Sequence, residues 1–155
     1  MVESEKMKKL VIVDTYALLA MAFGELSDVA TQTLQSIRSG RVVGVVPVTV
    51  VYEYLIHWHR GRIPALRTLE EALTFLTTYF RVENLSLVDW VKAAEIKHEG
   101  DAMLKEASDP ALRVRKLSIV DSTVIVCALK LRAPILTGDR DLAYVATRFG
   151  VETIW

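Results

Sequence analysis

Short apolar runs alternate with helical segments along this chain, and that alternation limits the possible fold more than any other feature. The runs cover residues 10–13, 42–46, 80–84, 134–137 and 151–155. Short runs rich in β-branched residues and separated by helical segments are typical of buried parallel strands. The sequence therefore predicts an α/β domain with a mostly parallel central sheet of about five strands.

Apolar residues at helical spacing predict the intervening helices at residues 16–23, 27–39, 49–60, 64–78, 86–107, 118–131 and 141–149. Pro64 suits the first turn of a helix, and Gly100 is a candidate break in the fifth helix. Asp121 follows Ser118 by three positions, which predicts a capping box. The pair at 109–110, Asp-Pro, predicts a loop.

Length and composition predict one domain at residues 10–155 behind an N-terminal tail at residues 1–9. The chain has 155 residues, of which 52% are apolar, enough for a sizeable core. The single cysteine, Cys127, is expected to be buried and excludes an internal disulfide. No apolar run is long enough for a secretory signal or a membrane span, so a cytoplasmic protein is expected.

Charge places a condition on any nucleic-acid contact. The 19 Lys and Arg residues balance the 19 Asp and Glu residues. Contact with RNA would therefore depend on a local basic patch, or on metal ions that bridge carboxylates to phosphate.

Four carboxylates are expected at one edge of the sheet. Asp14 and Asp139 follow the first and fourth predicted strands, while Glu53 and Asp121 lie in the first turns of neighbouring helices. Ligands of open α/β sheets gather beyond the carboxyl ends of the strands, where the strand order reverses. A cluster of acids suits Mg²⁺ or Mn²⁺, which prefer oxygen ligands. Taken singly, each acid has the alternative explanation of a favourable charge or cap at a helix start.

Four segments, in order, resemble motifs of the PIN-domain family. They are residues 11–19 (VIVDTYALL), 47–53 (PVTVVYE), 117–128 (LSIVDSTVIVCA) and 135–142 (ILTGDRDL). The chain departs from the family pattern at Leu142, where Phe is usual, and this difference concerns packing. The chain length and apolar pattern also resemble VapC-type toxin ribonucleases of VapBC toxin–antitoxin pairs.

The resemblance implies a three-layer α/β/α fold and an Mg²⁺- or Mn²⁺-dependent endoribonuclease. The implied catalytic and metal-binding residues are Asp14, Glu53, Asp121 and Asp139, with the first and third as principal ligands. Thr137 would orient Asp139 or a metal-bound water, and Asp141 is a fifth, weaker candidate.

The resemblance also implies an RNA substrate, a homodimer and a cognate antitoxin, for which residues 50–58 are a candidate surface. Basic residues that flank the expected site are Arg60, Arg62, Arg67, Arg113, Arg115 and Lys116; each is a candidate phosphate contact or a solvated loop charge. His57 and His59 are expected at the surface and not as metal ligands. Two alternatives stay open: a PIN nuclease of RNA processing or quality control, and a non-catalytic PIN module that binds RNA or protein.

Overall fold

The computed structural model describes residues 8–155, so residues 1–7 of the predicted tail lie outside the described residues. Its centre is a sheet of five parallel strands in the order β3-β2-β1-β4-β5. The strands are β1 (Leu10–Val13), β2 (Val43–Pro47), β3 (Phe80–Glu83), β4 (Ile135–Leu136) and β5 (Thr153–Ile154). The prediction of a mostly parallel sheet of about five strands is confirmed.

Eight helices connect and cover the strands within the described residues. They are α1 (Thr15–Phe23), α2 (Asp28–Arg38), α3 (Val48–His59), α4 (Leu69–Tyr79), α5 (Leu87–Lys105), α6 (Pro110–Arg113), α7 (Ile119–Leu131) and α8 (Arg140–Arg148). Starting from β1, the chain adds β2 and then β3 on one side of β1, and later adds β4 and then β5 on the other side. Right-handed crossovers therefore place helices on both faces, which is the expected three-layer fold.

The strand order reverses between β1 and β4, because β1 pairs with β2 on one side and with β4 on the other. In this register Val13 lies opposite Leu136. The residues that follow them, Asp14 and Thr137, therefore leave the sheet side by side at its carboxyl edge. The fold thus forms at this point the kind of crevice in which open α/β sheets bind their ligands.

Helix α5 runs without a break through Gly100, which corrects the prediction of an interruption there. A Cβ at Gly100 would lie 3.0 Å from Leu117 and 3.1 Å from Val145. Glycine at this position therefore allows α5 to approach the start of α7 and the middle of α8 closely.

Other predicted boundaries also need correction. The helix expected from Pro64 begins at Leu69, because the Thr68 hydroxyl accepts the Glu71 N–H and caps the helix there. The loop expected at 109–110 starts a short helix, α6. The last two predicted strands each shorten to two residues.

The capping box predicted at Ser118 is also incomplete. Ser118 accepts the N–H of Asp121, but the complete box lies at the start of α5, between Ser86 and Asp89. No helix in residues 8–155 has the length and apolar character that spanning a bilayer requires.

Candidate active site

Asp14 is held by two hydrogen bonds at the end of β1. Its Oδ1 accepts the N–H of Ala17 at 2.9 Å and so caps α1, while its Oδ2 accepts the hydroxyl of Thr137 at 2.6 Å. The side chain is almost completely buried, with only 2% of Asp14 exposed. Asp14 is therefore a rigidly oriented carboxylate in the crevice between β1 and β4.

Asp139 is tied to the same threonine. The Thr137 oxygen accepts the backbone N–H of Asp139 at 2.9 Å, while its proton goes to Asp14. Oδ1 of Asp139 accepts the N–H groups of Asp141 and Leu142 and caps α8. Capping is thus a real role of both Asp14 and Asp139, and it coexists with their approach to one another.

Glu53 and Asp121 reach the crevice from helices α3 and α7. The hydroxyls of Thr49 and Thr123 lie 2.6 Å apart and link these helices. Because the Thr123 hydroxyl also lies within hydrogen-bond range of the Val120 carbonyl, an arrangement in which Thr49 donates to Thr123 satisfies all three groups. One side chain–side chain bond therefore joins the two helices close to both acids.

Burial and mutual repulsion disturb the acids. Burial and, to a smaller extent, the charges of Asp139 and Glu53 raise the pKa of Asp14, its two hydrogen bonds lower it, and the net result is a pKa of about 7. Burial also raises the pKa of Asp121 well above its usual value, and the charges of Asp139, Asp14 and Glu53 add to that effect. All four predicted acids therefore lie within electrostatic range of one another, and a bound cation would reverse the repulsion.

The four acids form a donor set of hard oxygens, which suits Mg²⁺ or Mn²⁺. Thr15, which follows Asp14 in sequence, has a buried hydroxyl without a hydrogen-bond partner. Within the described chain, however, no three His, Cys, Asp or Glu side chains are already gathered around one metal position. The residue types and their charge coupling fit a divalent cation, and binding it requires the side chains to draw together.

Asp141, the fifth predicted acid, is buried and paired with Arg115. The guanidinium Nε donates to Oδ2 of Asp141 at 2.8 Å, and this bond raises the pKa of Arg115. The charges of Asp139 and Asp121 raise it further. Arg115 is therefore the predicted basic residue that the structure places beside the acid cluster.

The remaining predicted basic residues lie elsewhere or are engaged. Arg113 donates to the carbonyls of Ala107 and Ser108, so it holds the loop between α5 and α6. Arg62 lies 2.7 Å from Nδ1 of His57 at the far end of α3. The other three, Arg60, Arg67 and Lys116, are exposed.

The start of α7 is held by a clamp that sequence reasoning missed. Asp101 accepts the Leu117 N–H at 2.8 Å, and Lys97 donates to the Leu117 carbonyl at 2.7 Å. The two clamp residues also pair with each other at 3.0 Å. This clamp fixes the backbone just before Ser118 and Asp121, and no local sequence signal reveals a contact across such a separation.

The structure corrects the prediction that residues 50–58 form a candidate antitoxin surface. Val50 and Tyr54 are buried in the core and do not face a partner, while Tyr52 is 67% exposed.

His57 is half-buried, and its desolvation together with the charge of Arg62 lowers its pKa. Cys127 is buried, as predicted.

Two clefts flank the acids. One, of about 580 Å³, contains Glu53 and the start of α7. The other, of about 380 Å³, contains Tyr16, Arg115, Asp139 and Asp141. Of the four acids, Glu53 is therefore accessible from the first cleft and Asp139 from the second.

Comparison with solved structures shows the fold. The chain is similar to PAE2754 from Pyrobaculum aerophilum, with a TM-score of 0.58 and 17% identity over 94% of this chain and 83% of that one. It is similar to VapC20 of Mycobacterium tuberculosis, described as a toxin that cleaves the sarcin–ricin loop, with a TM-score of 0.50 and 18% identity over 86% and 92% of the two chains. FitAcB from Neisseria gonorrhoeae matches with a TM-score of 0.53 and 12% identity over 92% and 95%.

Among curated proteins, none is similar enough in sequence to count as a relative. The family model described as "PIN domain" matches residues 11–148, which contain all four acids and the strands that position them up to β4. The match covers most of the chain and agrees with the fold and with the carboxylate crevice, and the chain therefore belongs to the PIN-domain family.

Proposed function

We propose that this chain is a divalent-metal-dependent endoribonuclease that hydrolyses RNA phosphodiester bonds. The observation that carries the proposal is that Asp14 and Asp121, at the strand-order reversal, both lie within electrostatic range of Glu53 and Asp139. When bound there, Mg²⁺ or Mn²⁺ would supply an activated water and neutralise charge on the phosphate.

The chain's own residues would contribute orientation and charge. Thr137 holds the Asp14 carboxylate in one orientation and fixes the backbone of Asp139. The clamp on Leu117 fixes the approach to Asp121. Arg115 uses Nε on Asp141, and its terminal nitrogens remain available as donors to an RNA phosphate.

The test is cleavage of a panel of structured and single-stranded RNAs in EDTA, Mg²⁺ or Mn²⁺. Wild type is compared with Asp14→Asn and Asp121→Asn. Asp28→Asn, which removes an exposed carboxylate at the start of α2, is the matched control. We expect metal-dependent cleavage by wild type and the control, and loss of cleavage in both site variants.

Two results would count against the nuclease. Cleavage that survives EDTA and both site substitutions would place the activity outside these acids. Folded wild-type protein that binds RNA without cutting any member of the panel would favour the non-catalytic module.

We also propose that the nuclease is the toxin of a toxin–antitoxin pair, with a second copy of the chain and an antitoxin as partners. The support is the fold similarity to VapC20 and to FitAcB. Induced expression in a bacterial host tests the toxin role, because wild type should arrest growth and Asp121→Asn should not. Normal growth with an enzyme that cuts RNA in vitro would favour RNA processing or quality control.

A further inference from the structure

We propose that Tyr16 and Trp155 form a stacking platform for an unpaired RNA base beside the scissile phosphate. We call these two side chains the aromatic platform. The inference rests on the proposed function and deepens it, since it names the residues that would hold a base next to the phosphate at the same site.

The two rings pack edge to face and stay open to solvent. Their centroids are 5.5 Å apart with an interplanar angle of 79°. Tyr16 is 45% exposed and Trp155 is 37% exposed, although both side chains are large and apolar. In such a pair each ring fixes the orientation of the other, and ring surface remains available to a third aromatic group.

The platform rests directly on the backbone that carries the acids. A Cβ at Gly138 would lie 2.5 Å from Cε1 of Tyr16 and 2.6 Å from Cε2 of Trp155, which is closer than atoms can approach. Gly138 separates Thr137, the partner of Asp14, from Asp139. The rings therefore have a fixed position relative to the acid cluster.

Tyr16 also belongs to the first turn of α1, immediately after the Asp14 cap. Both sides of this contact are thus close in sequence to the acid cluster, because Tyr16 lies two residues after Asp14 and Gly138 directly precedes Asp139. A base on this platform would belong to a nucleotide next to the phosphate at the acids.

The cleft beside the platform has the chemistry to hold the same nucleotide by its backbone. Tyr16, Arg115, Arg140 and Asp139 all line it. Arg115 pairs with Asp141 and Arg140 pairs with Asp109, and each guanidinium has five N–H donors, so both retain donors for phosphate. An aromatic surface next to guanidinium groups is the combination that binds single-stranded nucleic acid.

The base has to be unpaired, because both faces of a base inside a duplex are covered by its neighbours. Proteins that read RNA by stacking accordingly select loops, bulges and single strands. We therefore expect the platform to favour single-stranded RNA over a duplex of the same sequence.

The experiment is equilibrium binding of a fluorescein-labelled single-stranded RNA, followed by anisotropy in EDTA and again with Ca²⁺. The variants are Tyr16→Leu and Trp155→Leu, which remove aromatic rings, and Tyr16→Phe, which keeps one. Tyr79→Leu is the control, since Tyr79 is similarly exposed at 40% and packs on Phe75 in α4. A second RNA carries abasic riboses in place of bases.

We expect both platform leucine variants to bind about tenfold more weakly than wild type, within the range of base–aromatic stacking. Tyr16→Phe and Tyr79→Leu should bind like wild type, and the abasic RNA should bind weakly to all five proteins. Circular dichroism and thermal unfolding check that each variant is folded.

Three outcomes would overturn the platform: leucine variants that bind within twofold of wild type, equal affinity for abasic and base-bearing RNA, or no binding of single-stranded RNA by wild type in either buffer. These outcomes are separable from failure of the nuclease. Metal-dependent cleavage with unaffected binding in the leucine variants removes only the platform. Base-dependent binding without cleavage keeps the platform and removes the nuclease.

Discussion

Thr137 donates its hydroxyl proton to Oδ2 of Asp14 across 2.6 Å, although 123 positions separate the two residues in sequence. The same oxygen accepts the N–H of Asp139. One hydroxyl therefore connects the carboxylate after β1 to the backbone after β4. Asp14 and Thr137 are both buried, so water does not readily replace this hydrogen bond when it is removed.

Replacement of Thr137 by Val should weaken both stability and activity. The isosteric change leaves Oδ2 of the buried Asp14 carboxylate without a donor and the Asp139 backbone N–H without an acceptor, so we expect a loss of about 1–3 kcal/mol in the free energy of unfolding. Cleavage should fall about 10- to 100-fold, as for other residues that orient metal ligands.

Urea unfolding and RNA cleavage measure the two effects of Thr137→Val. Thr137→Ser should restore both, because it keeps the hydroxyl. Thr147→Val is the control, since its exposed hydroxyl bonds only the Ala143 carbonyl within α8. Equal effects at positions 137 and 147 would contradict the orienting role.

The positions of the acids were predictable because hydrophobic runs fix where strands end. The run at 10–13 forms β1 with those bounds, and Asp14 follows it at the carboxyl edge. The strand at 134–137 is shorter than predicted, since only Ile135 and Leu136 pair with neighbours. Yet Thr137 and Asp139 still follow its end. Small errors in strand length therefore leave the expected edge of the sheet unchanged.

Contacts between distant segments were not predictable from one sequence. Arg115 and Asp141 meet across 26 positions, and Tyr16 meets Trp155 over nearly the whole chain. Such contacts depend on helix packing angles and strand register, which neither periodicity nor residue type determines. Gly138 illustrates this, because its close approach to two rings appears only in three dimensions.

Asp14 should make the metal-free protein less stable as the pH rises. Its pKa is about 7 in the folded state against 3.8 ordinarily, so the folded protein binds one proton more between these values. Stability from this group is fully present below about pH 4 and is lost, by a few kcal/mol, as the pH rises to about 7.

Asp14→Asn removes this pH dependence. The measurement is urea unfolding of wild type and Asp14→Asn in EDTA, at pH 5 and at pH 8. The free energy of unfolding of the variant minus that of wild type should be larger at pH 8 than at pH 5. Asp28→Asn serves as the surface-carboxylate control. A difference between wild type and Asp14→Asn that is the same at both pH values would contradict the raised pKa.

Divalent metal should stabilise the folded chain through the same acids. Cation binding to the folded state adds RT ln(1 + [L]/Kd), about 2.7 kcal/mol at a hundredfold excess over Kd. Thermal unfolding at pH 7.5 should therefore shift upward with Mn²⁺ or Mg²⁺ in wild type and much less in Asp121→Asn. Equal shifts in the two proteins would indicate that metal binds somewhere other than the acid cluster.

The clamp on Leu117 should control the position of Asp121. In Lys97→Met, the Leu117 carbonyl and the Asp101 carboxylate both lose a donor, so we expect a loss of about 1–3 kcal/mol. Amide hydrogen exchange at Leu117 should accelerate and RNA cleavage should fall. Lys92→Met is the control on the same helix, since Lys92 pairs only with exposed Glu95 at 3.4 Å and should change stability by less than about 0.5 kcal/mol. Similar effects of both substitutions would rule out a special role for the clamp.

Gly138→Ala should be destabilising because its Cβ has no room. The atom would lie 2.5 Å from Tyr16 and 2.6 Å from Trp155, so both rings must move, and we expect a loss of about 1–3 kcal/mol. Trp155→Ala removes one obstructing ring, so the same glycine substitution should be less harmful in that background. Urea unfolding of wild type, the two single variants and the double variant gives the coupling energy. If the stability losses of the two single variants simply add in the double variant, the rings move aside freely for a side chain at position 138. The aromatic platform would then have no rigid attachment to the acid cluster. Base stacking beside the phosphate depends on that attachment.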